Sequence, residues 1–235
     1  MNSFNRDGSF SYPSESRVNL QPIMRQVYVW MGLGTLLTAL VAFLTVSTPL
    51  LNLALNPVIL IVAMVAELGM VMGLSFGFNR LSAAVATGLF FVYAALNGFT
   101  LSIILLAYSG TTITTAFVAT AALFGAMSII GYTTQVDLTK MGTYLMMGLI
   151  GLLIAMVINI FVGSGPLDML ISVVGVLLFT GLTAFDTQRI GRMAASVGTQ
   201  GEAAAKLGIY GALKLYLDFI NMFLFMLRLM GGRRR

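Results

Sequence analysis

Apolar residues run through this chain in blocks about as long as a bilayer is thick. Seven such runs stand out, at 27–46, 58–78, 81–108, 113–132, 141–162, 167–185 and 207–229. Each approaches or exceeds the ~20 residues that a helix rising ~1.5 Å per residue needs to cross ~30 Å of hydrocarbon. A barrel would show short alternating segments instead. A helix also satisfies its own backbone polar groups, which lipid cannot do for it. The pattern predicts a single all-α membrane domain, 23–231, of seven transmembrane helices. Asn56-Pro57, Ser109-Gly110 and Gly163-Ser164-Gly165-Pro166 punctuate the runs. Residues 1–22 are polar, rich in Ser and Asn, and read as a disordered tail. The first run starts too late and runs too long for a signal peptide. The stretch 186–206 reads as the one sizeable internal loop, and 232–235 as a short basic tail.

The last run carries a polar stripe. Lys214, Asp218, Asn221, Phe225 and Arg228 follow one another by 4, 3, 4 and 3 residues, so they share one helix face. Four of the five are polar. Lipid cannot accept such a face, which predicts a central seventh helix surrounded by the other six. An amphipathic helix lying on the membrane surface is the plainer alternative. The residues around Asp218 are too apolar all round to favour it.

Composition agrees with a membrane protein and narrows the chemistry. Hydrophobic residues make up 58% of the chain and charged ones 9%, against roughly 25% charged in soluble domains. There are no cysteines and no histidines. That excludes disulfides, Cys/His zinc sites and Cys or His nucleophiles. No motif supplies a serine dyad either, so no enzyme and no cofactor is expected. The net charge of +5 does not imply a nucleic-acid partner, because the cations sit at helix ends. Arg6, Arg17 and Arg25 precede the first run, Arg80 follows the second, Lys140 precedes the fifth, and Arg189, Arg192 and Lys206 lie between the last two. The intervening loops carry none, which puts the N-terminus in the cytoplasm. Arg233-Arg234-Arg235 breaks the alternation. Either the last helix crosses against the rule or it returns as a hairpin; the lack of a central Pro or Gly favours a full crossing.

Ionisable groups at membrane depth cost roughly 2.5–3.5 kcal/mol each and mark paths or pairs. Glu67, in the middle of the second run, is a hydrogen-bonded neutral carboxyl or the wall of a cation or proton path. Asp186 closes the sixth run and gains weight only if it meets Asp218. Arg80 is an interfacial anchor or, paired with Asp186, a cytoplasmic gate. Gly69, Gly73 and Gly77 form a small-residue stripe expected to let another helix approach closely.

The stretch Leu215-Tyr216-Leu217-Asp218-Phe219-Ile220-Asn221-Met222-Phe223, with Leu227-Arg228 beyond it, resembles the last-helix signature of the Bax inhibitor-1 family, and its bacterial members most. Phe185-Asp186-Thr187-Gln188 and Asn97-Gly98-Phe99-Thr100-Leu101 resemble two further motifs of that family. The likeness runs from about residue 21 to 231. It implies a ring of six helices around a seventh, and a pH-sensitive calcium leak across a bacterial inner membrane. By the same resemblance, Asp186 and Asp218 form a pH-sensing pair and the oxygen ligands offered to Ca²⁺. Arg80 latches to Asp186, and Glu67 and Asn221 line the path. Apart from the resemblance, Lys214, one turn before Asp218 on the same face, is expected to modulate the pair, since a cation there would favour the ionised aspartate and compete with Ca²⁺. Two carboxylates in contact would share a proton and titrate together. Ca²⁺ and protons, besides the lipid bilayer, are then the expected partners. A regulatory protein that binds a membrane protease or acts in a stress-survival pathway is the alternative, and a proton-coupled transporter a third.

Overall fold

Where the chain is apolar it is helical. The computed structural model describes residues 21–77, 80–197 and 201–231. The helices are α1 (Gln21–Ser47), a short α2 (Leu50–Ala54), α3 (Pro57–Gly77), α4 (Ala83–Ala107), α5 (Gly110–Thr133), α6 (Thr139–Val162), α7 (Gly165–Val197) and α8 (Glu202–Gly231). The tail reading of 1–22 falls almost wholly outside the described residues, and the basic tail 232–235 does so entirely.

The predicted punctuation acts as caps. Asn56 Oδ1 accepts from the backbone N–H of Val58 at 3.0 Å, with Pro57 filling the first helical position, where a missing N–H costs nothing. Ser109 accepts from Thr112 N–H at the start of α5. Gly163 ends α6 in the left-handed conformation, at φ 63°.

The loop expected at 186–206 is mostly absent. α7 continues through Asp186 to Val197, and α8 begins at Glu202. The polar stretch contains Gln, Arg, Met and Ala, which favour helix, and no Pro. Polarity alone does not stop a helix that can reach water. At 33 residues and ~1.5 Å per residue, α7 is about 50 Å long and extends past the hydrocarbon. Asp186 therefore sits inside a helix and not at its end.

Six of the described helices, α1 and α3 to α7, are long and apolar enough to cross a membrane. α8 is long enough, but Lys214 and Asp218 interrupt its apolar stretch. It is nevertheless the best-buried helix, with Leu215, Tyr216 and Met222 fully enclosed. Its extensive packing comes from four helices: α7, α1, α5 and α4. α3 and α6 lie further out, α3 against α4 and α6 against α7. Both turn exposed apolar side chains outward, among them Ile61, Val65, Ile154 and Phe161, as lipid-facing helices do.

The glycine stripe of α3 does not receive a neighbour. A Cβ built on Gly69, Gly73 or Gly77 meets nothing within 4 Å. The close helix approaches lie elsewhere. Gly98 of α4 abuts the Thr38 carbonyl of α1, and Gly131 of α5 abuts the backbone of Ala184 in α7. α3 is a peripheral helix, so its small residues face outward.

A carboxyl-lined cavity between α3, α6, α7 and α8

Because α3 and α6 do not pack extensively on each other, a cavity of about 920 Å³ lies between them and the central helix. Its apolar wall is largely α6 and the outer face of α3. Its polar wall gathers Glu67, Asp186, Arg189, Lys214, Asp218 and Asn221. Five of the sequence-derived site residues thus share one cavity, and Arg80 is apart from them.

Asp186 and Asp218 are 7% and 4% exposed. They project from α7 and α8, the most closely packed helix pair, and their carboxyls lie close enough to interact directly. Asp218 Oδ2 is buried and has no hydrogen-bond partner among the described residues. Lys214 stands close enough to act electrostatically on both aspartates, and Arg189 on Asp186. Asn221 donates to its own helix, at the Leu217 carbonyl, 2.8 Å away. The lower part of the stripe leaves the cavity. Phe225 stacks on Phe179 at 5.9 Å. Arg228 is exposed beyond it, its guanidinium 5.6 Å from the Phe225 ring centre.

Glu67 is tied to α4. It accepts a 2.6 Å hydrogen bond from Thr100 Oγ1, and the Asn97 side chain lies close enough to act on it. Asn97 Oδ1 in turn accepts from Tyr216 OH at 3.2 Å, and that hydroxyl lies 2.7 Å from Thr38 Oγ1. A polar chain therefore joins α1, α8, α4 and α3. A buried polar group is tolerable when it is hydrogen-bonded, and this chain supplies the partners.

Arg80 follows α3 and is exposed. The ion pairs among the described residues are Arg192–Asp137 and Lys206–Glu202, so the Arg80–Asp186 contact is not made here. No group of three or more acidic residues that could hold a metal occurs among the described residues. Ca²⁺ takes six to eight oxygens. Two aspartates supply at most about four, fewer than such an ion takes.

The model of the family described as "Inhibitor of apoptosis-promoting Bax1" matches residues 20–235. The chain belongs to the Bax inhibitor-1 family. "Inner membrane protein YbhL" of Escherichia coli K12 is 44% identical over the full length of both chains. An uncharacterized protein of Deinococcus radiodurans is 46% identical, covering 91% of this chain and 92% of its own. A Rickettsia prowazekii protein, "Uncharacterized protein RP147", is 43% identical over 92% of this chain and 91% of its own.

Within this Bax inhibitor-1 family member the motifs acquire individual tasks. In Phe185-Asp186-Thr187-Gln188, Phe185 packs against Gly142 of α6. Asp186 meets Asp218, and Gln188 holds the α5–α6 turn. Its Oε1 accepts from Leu138 N–H at 2.9 Å and its Nε2 donates to the Val136 carbonyl at 2.8 Å. In the Asn97 motif, Gly98 admits α1 while Thr100 holds Glu67.

The α5–α6 turn contains a functional candidate that sequence reading missed. Arg192 Nη1 donates to Asp137 Oδ1 at 2.6 Å and to Thr139 Oγ1 at 2.8 Å. Asp137 and Arg192 are 55 residues apart, and nothing in their spacing announces the contact. Hydrogen bonds from the Thr139 side chain and backbone, and then from Arg192, hold the Asp137 carboxyl well below the usual carboxylate range. A depressed folded value means that the clamp is present above the ordinary carboxylate pKa and is lost only as pH falls through the lower one. α6 packs extensively only on α7, so the clamp fixes one end of a loosely held helix. Asp137→Asn is expected to raise amide exchange across 134–142 at neutral pH while leaving α8 protected. Unchanged exchange there would show the clamp to be inert, as many exposed ion pairs are.

Proposed function

We propose that this protein is a pH-sensitive leak path for Ca²⁺ across the bacterial inner membrane. α8 is its seventh span and the Asp186–Asp218 pair its sensor. The observation that carries the reading is the placement of both aspartates, from two helices, in the wall of one cavity with Glu67 and Asn221. When both carboxyls are ionised the wall attracts a hard divalent cation. When a proton bridges them that attraction falls. The other charged or titratable groups facing the cavity are Glu67 and Tyr93 on the α3–α4 side, and Arg189 and Lys214 beside the pair. On this reading the exposed Arg80 is unlatched, and closing brings the end of α3 toward α7. The positive-inside rule, applied to the basic ends of the helices, supports a cytoplasmic N-terminus.

The test is Ca²⁺ efflux from proteoliposomes of the unmodified protein across a pH series. Flux that rises or falls with pH is expected, and no flux at any pH removes the channel. Lys214 refines the test. Lys214→Gln should move the midpoint of the pH dependence, whereas Lys214→Arg, which keeps the charge, should leave it near its place. Equal midpoints in all three proteins would mean that Lys214 does not act on the pair.

A further inference from the structure

A second cavity, about 560 Å³, opens to the outside of the bundle between the start of α1 and the end of α5. Neither the carboxyl pair nor Glu67 reaches it. Arg25, Tyr28 and Tyr132 stand at its polar end, and Phe124 and Gly125 form its apolar floor. Phe124 lies nine residues before the last residue of α5, about 14 Å deeper at ~1.5 Å per residue. The groove is therefore charged and aromatic at the interface and apolar below it, as an amphiphile requires.

Two observations point to an anionic occupant. Arg25 is exposed, and the ion pairs among the described residues do not involve it. Ser128, also in the wall, is 6% exposed, and its Oγ has no hydrogen-bond partner among the described residues. The helical threonines nearby behave differently. Thr120 and Thr133 bond back to Ala116 and Ile129. Ser128 is left with a buried, unsatisfied hydroxyl that a change of side-chain rotamer would turn toward a ligand oxygen. The same end of the bundle carries Lys140 and Arg189, while Arg192 and Asp137 there offset each other as an ion pair, so the local field still favours a negative headgroup.

We propose that this groove binds one anionic phospholipid from the adjoining leaflet. Arg25 takes the phosphate, with Tyr28 and Tyr132 at headgroup level, where aromatic side chains settle. Ser128 donates to a phosphate or ester oxygen, and an acyl chain lies over Gly125 and Phe124. A basic pocket between helices at a membrane interface is suited to such a headgroup.

Native mass spectrometry of the detergent-purified protein, titrated with phosphatidylglycerol or with phosphatidylcholine of the same chains, tests it. One retained phosphatidylglycerol per chain is expected, and little phosphatidylcholine. Arg25→Gln should weaken retention roughly fivefold or more, the worth of one Lys or Arg near an anionic surface. Gly125→Leu should block the floor without harming the fold, because a Cβ there meets open space. Its thermal unfolding reports on that separately. Glycerol phosphate, the headgroup chemistry without chains, should not displace the lipid. Equal retention of the two lipids, unchanged retention in both variants, or displacement by glycerol phosphate would each overturn the proposal.

Discussion

Asp186→Asn and Asp218→Asn are each expected to abolish the pH dependence of Ca²⁺ flux in proteoliposomes, with the double variant behaving like either single one. The expectation follows from the pair's geometry. The two carboxyls lie close together across the α7–α8 contact, nearly out of solvent. Interacting groups titrate as a unit, so removing either removes the shared proton and not half of the response. Asn keeps the size of the side chain and much of its hydrogen-bonding capacity, so the variants are expected to fold, which their thermal unfolding checks. Glu67→Gln is the contrasting variant. It leaves the pair intact and keeps an acceptor for Thr100, so it should lower flux while retaining a pH response. A pH response that survives in both aspartate variants would transfer the sensor to another group in the cavity.

Gly98→Val and Gly131→Val are expected to destabilise the protein strongly, whereas Gly69→Val and Gly73→Val should leave thermal unfolding nearly unchanged. At the first two positions a Cβ would strike backbone of the neighbouring helix, α1 or α7. Backbone cannot turn aside as a flexible side chain can. Overpacking of this kind costs typically ~1–3 kcal/mol, and occasionally more. At the latter two positions nothing lies within 4 Å. Unfolding temperature in detergent, with yield of monodisperse protein, reads both pairs. Destabilisation at Gly69 equal to that at Gly131 would mean that α3 packs inward after all.

The unequal fate of these glycines illustrates what a one-dimensional pattern can carry. A stripe at four-residue spacing shows that one helix face is small, but not whether another helix stands opposite. The opposite happened with Phe185-Asp186-Thr187-Gln188. Its residues looked like the end of a span because the apolar run stopped there. α7 continues because helix propensity, not hydrophobicity, decides where a helix stops.

The sequence by itself determined that the chain is all-helical and apolar, where the six long apolar helices lie, and that the last helix is unusual. Those features depend on local composition and on the 3.6-residue period, which a chain carries in one dimension. The polar stripe also indicated that α8 must be sheltered. Tertiary structure decided what shelters it: α1, α4, α5 and α7 pack on it, while α3 and α6 stand apart and leave the carboxyl-lined cavity between them. It also decided that Asp186 meets Asp218, that Glu67 is held by Thr100, and that Asp137 finds Arg192. Each of these joins residues from different helices, and such a contact depends on the rotation and spacing of whole helices. No local stretch of sequence contains that information.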